Sequence, residues 1–277
     1  MFREITLGQF YRADSVIHRL DPRTKLFFTL VFIVGMFVAS TAAGYGLVIA
    51  FLAVVIGLSQ VPVRKVLAGL KPLWFIIAFT FLMNLFFGDR TTILWQWKFI
   101  VISKEALMRS FMLSLRLILL VMGTSMLTLT TPPLALTDGM ESVMKPLAAI
   151  GFPAHEMAMM MTIALRFIPT LLEETDKIMK AQTARGADFA SGGLFKRAKG
   201  IVPLLVPLFV SAFRRADDLA MAMESRCYRG GKGRTRLKVL RFSAADGVAF
   251  ALTLLFAGAV FADRFAVARI WGIMRLV

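Results

Sequence analysis

Four long apolar runs, separated by charged or proline-containing segments, dominate the hydrophobic pattern of the chain. The first, Leu26 to Leu58, extends over 33 residues without a charge. Because one membrane-spanning helix needs about 20 residues, this run predicts two spans joined by a turn at residues 40–46. The predicted spans are residues 26–42, 44–58, 73–88, 110–130 and 247–262.

Composition and periodicity together define the class of protein. The chain is 58% hydrophobic with a mean hydropathy of +0.72, and the period-two alternation of a membrane β-barrel is absent. The pattern therefore predicts an all-α integral membrane protein with about five transmembrane helices. We expect a division into residues 1–130, a region of long cytoplasmic or interfacial helices at 131–245, and a last helix and tail at 246–277.

Charge is concentrated near the apolar runs. The net charge is +16, and Arg226–Arg241 holds seven basic residues and no acidic one. Such a cluster suits nucleic acid, anionic lipid or an acidic protein surface, but beside a span it favours anchoring on the cytoplasmic face. Basic residues in 1–25, 59–72 and 131–245 then fall on one side, which we expect to be the cytoplasm.

Several residues predict where helices begin and end. Asp21-Pro22 is typical of an N-cap followed by proline in the first turn, and Thr130-Thr131-Pro132-Pro133 should end the apolar run of the predicted span 110–130. Pro169 predicts a kink or a break. Arg116, the one charge inside that span, is either a functional intramembrane residue or an arginine that snorkels to the interface, and its position near the start of the run favours snorkelling.

The central region contains a weak internal repeat. Ala184-Arg185-Gly186 (the first arginine motif) and Ser225-Arg226-Cys227 (the second arginine motif) lie 41 positions apart, each at the end of a predicted helix. The same offset superposes Asp176 on Asp217, Ile178 on Leu219 and Ala181 on Ala222.

Small residues beside each arginine would let its guanidinium enter a cleft, where its planar fork suits carboxylates or carbonyl oxygens. The alternative is an arginine that only stabilises the C-terminal end of its own helix dipole. Two arginines in matched context favour docking onto two soluble partner subunits.

A dense group of methionines precedes the first motif. Flexible thioether side chains can repack against partners of different shape, but they also fill ordinary cores, and both interpretations are open. The group consists of Met157, Met159, Met160 and Met161, with Met140 and Met144 upstream.

Catalytic chemistry finds little support in the sequence. The lone Cys227 excludes an intrachain disulfide, and His18 and His155 lie too far apart in sequence for a metal or triad pattern. Residues 230–235 lack the spacing of a phosphate-binding loop. We expect no catalytic residue, metal or cofactor. The rival hypothesis is a membrane-embedded enzyme acting on a lipid or prenyl substrate.

At its motifs the chain resembles the transmembrane T component of energy-coupling factor (ECF) transporters, the CbiQ family. The resemblance covers nearly the whole chain and depends on five segments together. These are residues 18–26 (HRLDPRTKL), 130–132 (TTP), 164–169 (ALRFIP), 181–186 (AQTARG) and 222–230 (AMESRCYRG).

The resemblance implies a non-catalytic, multi-pass subunit of an importer in the plasma membrane of a prokaryote. It implies that both arginine motifs, at the tips of two crossing coupling helices, dock in grooves of two ABC-type ATPases. The apolar helices would bind a substrate-specific S component, which captures a vitamin or metal ion, and the methionines are candidates for that contact. Cys227 departs from the commoner glycine but leaves a small flank, so we expect docking to survive.

Overall fold

The structure is a computed structural model, and it describes residues 10–86, 93–97, 100–187, 193–231 and 240–274. Most of the basic cluster that begins at Arg226 lies outside these residues. The described chain forms two compact units. One contains the described residues of Gly8–Gly139 and Leu240–Val277 (the apolar unit), and the other those between Met140 and Val239 (the arginine unit).

Helices account for nearly all of the described chain, which confirms the predicted all-α class. A short antiparallel hairpin, β1 (Ile93–Trp97) paired with β2 (Ile100–Ser103), is an addition that the sequence pattern did not predict. The helices are α1 (Val16–Arg19), α2 (Pro22–Val38), α3 (Ala42–Ser59), α4 (Val63–Ala68), α5 (Trp74–Phe86), α6 (Lys104–Thr130), α7 (Pro133–Met144), α8 (Ala154–Ala184), α9 (Leu194–Ser225) and α10 (Ala244–Met274).

Local capping fixes the helix boundaries in the apolar unit. The side chain of Asp21 accepts a hydrogen bond from the Arg23 backbone at 2.9 Å, so α2 begins at Pro22 as predicted. The turn after α2 is tighter than the predicted 40–46, because Thr41 already caps α3 by accepting from the Gly44 amide at 2.8 Å. Helix α6 ends at Thr130, and its C-cap Thr131 directly precedes the two prolines.

Among the described residues, four helical segments are long and apolar enough to cross a membrane. They are Ala42–Ser59, Val63–Phe86, Lys104–Thr130 and Ala244–Phe265. The remaining predicted span, residues 26–42, corresponds to α2, whose 17 residues lie at the lower limit of a spanning helix.

Aromatic stacking and one close helix approach organise the core of the apolar unit. Phe51 stacks on Phe256 with ring centroids 4.3 Å apart, and Phe32 lies beside both rings. Gly123 of α6 faces Phe32, and a Cβ at this glycine would overlap the ring. The fully buried Met36, Val48 and Val260 complete the contacts between α2, α3 and α10.

Two cations are held inside the apolar unit by backbone carbonyls. Lys25 is 4% exposed, and its Nζ donates to the His18 oxygen at 3.1 Å and the Thr130 oxygen at 2.9 Å. Arg116 donates through Nη2 to the Ala39 oxygen, 2.8 Å away, at the C-terminal end of α2. A cation there complements the helix dipole, so the structure gives Arg116 an internal structural partner.

The arginine unit is built around α8 and α9, which contact each other. A 3₁₀ turn, Lys145–Ile150, precedes α8. Pro169 lies inside α8, which continues from Ala154 to Ala184 without a break. The helix break that Pro169 was one way of predicting is therefore absent. A proline removes only one backbone hydrogen-bond donor, and the residues on both sides of Pro169 remain helical.

Candidate functional site: the two arginine motifs

Both arginine motifs occupy the same place on their helices. Helix α8 ends at Ala184 and α9 at Ser225, so Arg185 and Arg226 are the C-cap residues. The C-terminal ends of the two helices are 41 positions apart, as the motifs are. Their N-terminal ends are 40 positions apart, one residue fewer. The two helices are also nearly equal in length, at 31 and 32 residues.

The backbone conformations of the motifs match residue by residue. Arg185 has φ −86° and ψ 9°, and Arg226 has φ −92° and ψ 14°. The next residue is left-handed in both motifs, with φ 87° at Gly186 and φ 54° at Cys227. The two motifs therefore present their arginines on nearly identical backbones.

Two hydrogen bonds close each helix end in the pattern of a Schellman motif. In the first motif, the Gly186 amide donates to the Thr183 oxygen and the Ala187 amide to the Gln182 oxygen, both at 3.0 Å. These bonds satisfy carbonyls that a helix end otherwise leaves without partners.

The second motif repeats this pair of bonds. The Cys227 amide donates to the Glu224 oxygen at 2.8 Å, and the Tyr228 amide donates to the Met223 oxygen at 3.0 Å. Both arginines are consequently fixed by hydrogen-bonded caps and do not lie on open loops.

The third residue of each motif is constrained by conformation and not by space. A Cβ at Gly186 would meet no atom within 4 Å, yet its φ of 87° is one that side chains rarely adopt. Glycine tolerates this region freely, whereas other L-residues do so at a cost. At Cys227 the left-handed φ is therefore a constraint in addition to the small size of the side chain.

Both arginine side chains are exposed. Within the described part of the chain, neither guanidinium has an ion pair or hydrogen bond. Their C-cap position is also the one that the helix-dipole alternative requires.

The predicted methionine group lies on the N-terminal half of α8. Met160 and Met161 are 58% and 52% exposed, Met157 is exposed and Met159 is half-buried. Helix α9 also exposes large apolar side chains, which are Ile201, Val202, Leu205, Val206, Phe209, Val210 and Phe213. Exposed apolar surfaces of this extent are typical of protein or membrane contacts.

The two histidines have local partners. His155 Nδ1 lies 3.0 Å from Glu141 Oε1, and a Cβ at Gly231 would overlap the His155 ring. His18 Nδ1 lies 2.7 Å from Ser15 Oγ, and its Nε2 lies 2.9 Å from the Tyr11 oxygen. Burial lowers the pKa of His18 below its ordinary value of 6.5, against the opposing effect of the Tyr11 carbonyl.

Sequence reasoning missed one contact of the arginine unit. Arg215 of α9 donates through Nη2 to Glu174 Oε2 of α8, at 2.9 Å. The two residues are 41 positions apart. The offset between the two arginine motifs could therefore have identified Glu174 and Arg215 as equivalent positions of opposite charge. Among the described residues no group of three or more His, Cys, Asp or Glu side chains is placed to hold a metal ion.

Comparison with known proteins matches most of the chain to the family that the sequence motifs resemble. The profile of the family described as cobalt transport protein, CbiQ, matches residues 13–237. A protein of Thermosediminibacter oceani named energy-coupling factor transporter transmembrane protein EcfT is 56% identical over 95% of this chain and 99% of its own length.

Two further relatives carry the same name. The Acidaminococcus fermentans protein is 53% identical over 90% of this chain and 92% of its own length. The Bacillus subtilis protein is 47% identical over 89% and 93% of the respective lengths. With its paired arginine motifs on an all-α membrane scaffold, the chain belongs to the CbiQ family of cobalt transport proteins.

Proposed function

We propose that this chain is the energy-transducing T subunit of an ECF-type ABC importer. It would couple ATP hydrolysis by two associated ATPase subunits to uptake of a vitamin or transition-metal ion bound by a separate S component. The observation that carries the proposal is the pair of exposed arginines, Arg185 and Arg226, on matching Schellman caps. The relatives named as ECF transporter transmembrane proteins support it.

The ATPase-docking residues are Ala184, Arg185, Gly186, Ser225, Arg226 and Cys227. A guanidinium presents several donors in a rigid plane, which suits carboxylates and helix-end carbonyls in a groove. Because each cap is hydrogen-bonded, little backbone freedom is lost when the arginine enters its groove. Matching backbones suit two similar ATPase surfaces.

The S component would bind the apolar face that contains Met157, Met159, Met160 and Met161. The exposure of three of these side chains supports this assignment. Methionine faces can adapt to partners of different shape, which suits a subunit that serves more than one S component.

The chain itself would hydrolyse no ATP, and its partners would supply that activity. It would lie in the plasma membrane of a prokaryote as a multi-pass protein, in contact with lipid. The four apolar helical segments support a membrane location. The basic segments support an orientation in which both arginine motifs face the cytoplasm. A membrane-embedded lipid or prenyl enzyme remains the rival function, and nothing in the described residues specifically favours it.

Reversing both docking charges tests the proposal. We expect Arg185→Glu/Arg226→Glu to insert normally but to lose both ATPases on co-purification, because a carboxylate would face groups that accept a guanidinium. The matched control Lys180→Glu/Arg229→Glu changes the net charge equally, at exposed positions outside the motifs. Stoichiometric ATPases and full uptake with the double motif variant would refute the docking assignment.

A further inference from the structure

The ion pair between Glu174 and Arg215 joins equivalent positions of the repeat. Glu174 Oε2 lies 2.9 Å from Arg215 Nη2, and the residues are 41 positions apart. Arg185 lies eleven positions after Glu174, and Arg226 lies eleven positions after Arg215. The ion pair therefore joins two residues that are equivalent in the two copies of the repeat.

A contact of this kind locates a symmetry axis. When two equivalent elements pack about a two-fold axis, a general contact occurs twice, and a residue meets its own equivalent only at the axis. Helices α8 and α9 contact each other, with corresponding boundaries. If the two helices are related by such an axis, the Glu174–Arg215 pair lies on it.

Charge at this axis has diverged between the two copies. Helix α8 carries Glu173-Glu174 where α9 carries Arg214-Arg215. Identical copies would place like charges against each other at the axis, whereas one acidic and one basic copy attract. The divergence favours pairing of α8 with α9 in one chain and disfavours pairing of either helix with its counterpart in another chain.

The axis divides each helix into a short and a long arm. At 1.5 Å per residue, each short arm from the ion pair to its arginine measures about 16 Å. The long arm from Glu174 back to Met157 measures about 26 Å on the same basis. Because the short arms are equal, equal displacements of the two arginines would turn both helices by the same angle. Because the long arms are longer, the same turn would move the methionine face further than it moves the arginines.

We propose that Glu174 and Arg215 form the pivot about which α8 and α9 turn when the ATPases displace the two arginine motifs. This inference rests on the proposed function. A partly exposed ion pair contributes little to folding stability, and both side chains retain some exposure. The pair thus serves as a positioning contact that holds the crossing point fixed while both ends of the helices move.

Distances between spin labels on the short arms test the pivot without a transported substrate. A ketone-bearing unnatural amino acid replaces the exposed equivalent residues Lys180 and Met221, which lie outside the docking motifs and the methionine group. It takes a ketone-reactive spin label while Cys227 stays in place, and the chain is purified with both ATPases and an S component. We expect the inter-label distance to shift on adding ATP and Mg²⁺. Glu174→Arg or Arg215→Glu should retain the ATPases but lose the shift, and the exchange Glu174→Arg/Arg215→Glu should restore it.

Glu173→Arg provides the matched control, because it makes the same substitution at an exposed neighbour and should leave the shift intact. An unchanged shift in the single reversals, loss of ATPases from them, or no recovery in the exchanged pair would overturn the pivot alone. A parent complex without ATPases would contradict the proposed function itself, and the pivot with it. The two failures are thereby distinguishable.

Discussion

Gly186 and Cys227 share a left-handed backbone at equivalent positions of two helix ends, with φ of 87° and 54°. The hydrogen bonds around them are the same, although only one of the two residues is glycine. The first arginine motif thus uses the residue best suited to its cap, and the second holds a cysteine in a conformation that side chains disfavour.

Replacing the cysteine should therefore stabilise the second helix end. We expect Cys227→Gly to raise the free energy of unfolding by about 1 kcal/mol, because glycine adopts φ near 54° without steric cost. Thermal unfolding of the purified protein in detergent, followed by circular dichroism, measures the change.

Two control variants separate conformation from side-chain loss. Gly186→Ala should destabilise the first helix end by about 1 kcal/mol, since its φ remains positive. Ser225→Gly, inside the last turn of α9, should also destabilise, because glycine lowers helix stability. If Cys227→Gly were neutral or destabilising, the left-handed cap would not be under strain.

Gly123 should be intolerant of any side chain. A Cβ there would overlap the Phe32 ring, and overpacking of a core costs about 1–3 kcal/mol. We expect Gly123→Ala to lower the unfolding midpoint in detergent, and Phe32→Leu in the same chain to recover part of the loss. Gly57→Ala is the matched control, since a Cβ at Gly57 meets nothing within 4 Å. Equal midpoints for the two alanine variants would contradict the close approach of α2 and α6.

Lys25 should contribute strongly to the stability of the apolar unit. Lys25→Met removes the donor to the His18 and Thr130 carbonyls, and leaving buried acceptors without a partner costs about 1–3 kcal/mol. We expect reduced yield of folded protein and a lower unfolding midpoint. Lys71→Met, at an exposed lysine, should have little effect. Wild-type stability of Lys25→Met would show that the two carbonyls find other donors.

His18 should make stability depend on pH. Burial lowers its pKa in the folded protein below the ordinary 6.5, so the folded state favours the neutral ring. Its contribution is fully present above about pH 6.5 and is lost as the pH falls through the lower folded value. Unfolding midpoints measured from pH 7.5 down to pH 5 should decrease, and the decrease should be smaller in His18→Asn. Identical pH profiles for both chains would rule out His18 as the responsible group.

Local signals in the sequence determined the class of protein and most helix boundaries. The long uncharged runs defined the apolar helices, and Asp21-Pro22 and Thr130–Pro133 set the ends of α2 and α6, because capping depends on neighbouring residues. The arginine motifs were placed correctly at helix ends for the same reason.

Tertiary structure determined which partners the side chains of these helices contact. Lys25 donates to the Thr130 carbonyl, 105 residues away, and Arg116 to the Ala39 carbonyl, 77 residues away, and no local pattern identifies these two contacts. The contact between Glu174 and Arg215 depends on how two helices pack together, and the conformational constraint on Cys227 depends on its φ angle. The sequence alone identified the apolar helices and the repeated arginines, since both can be recognised from residues that are adjacent in the chain. Only the folded chain determined the shared cap geometry and the contact between Glu174 and Arg215, since both depend on residues that folding brings together.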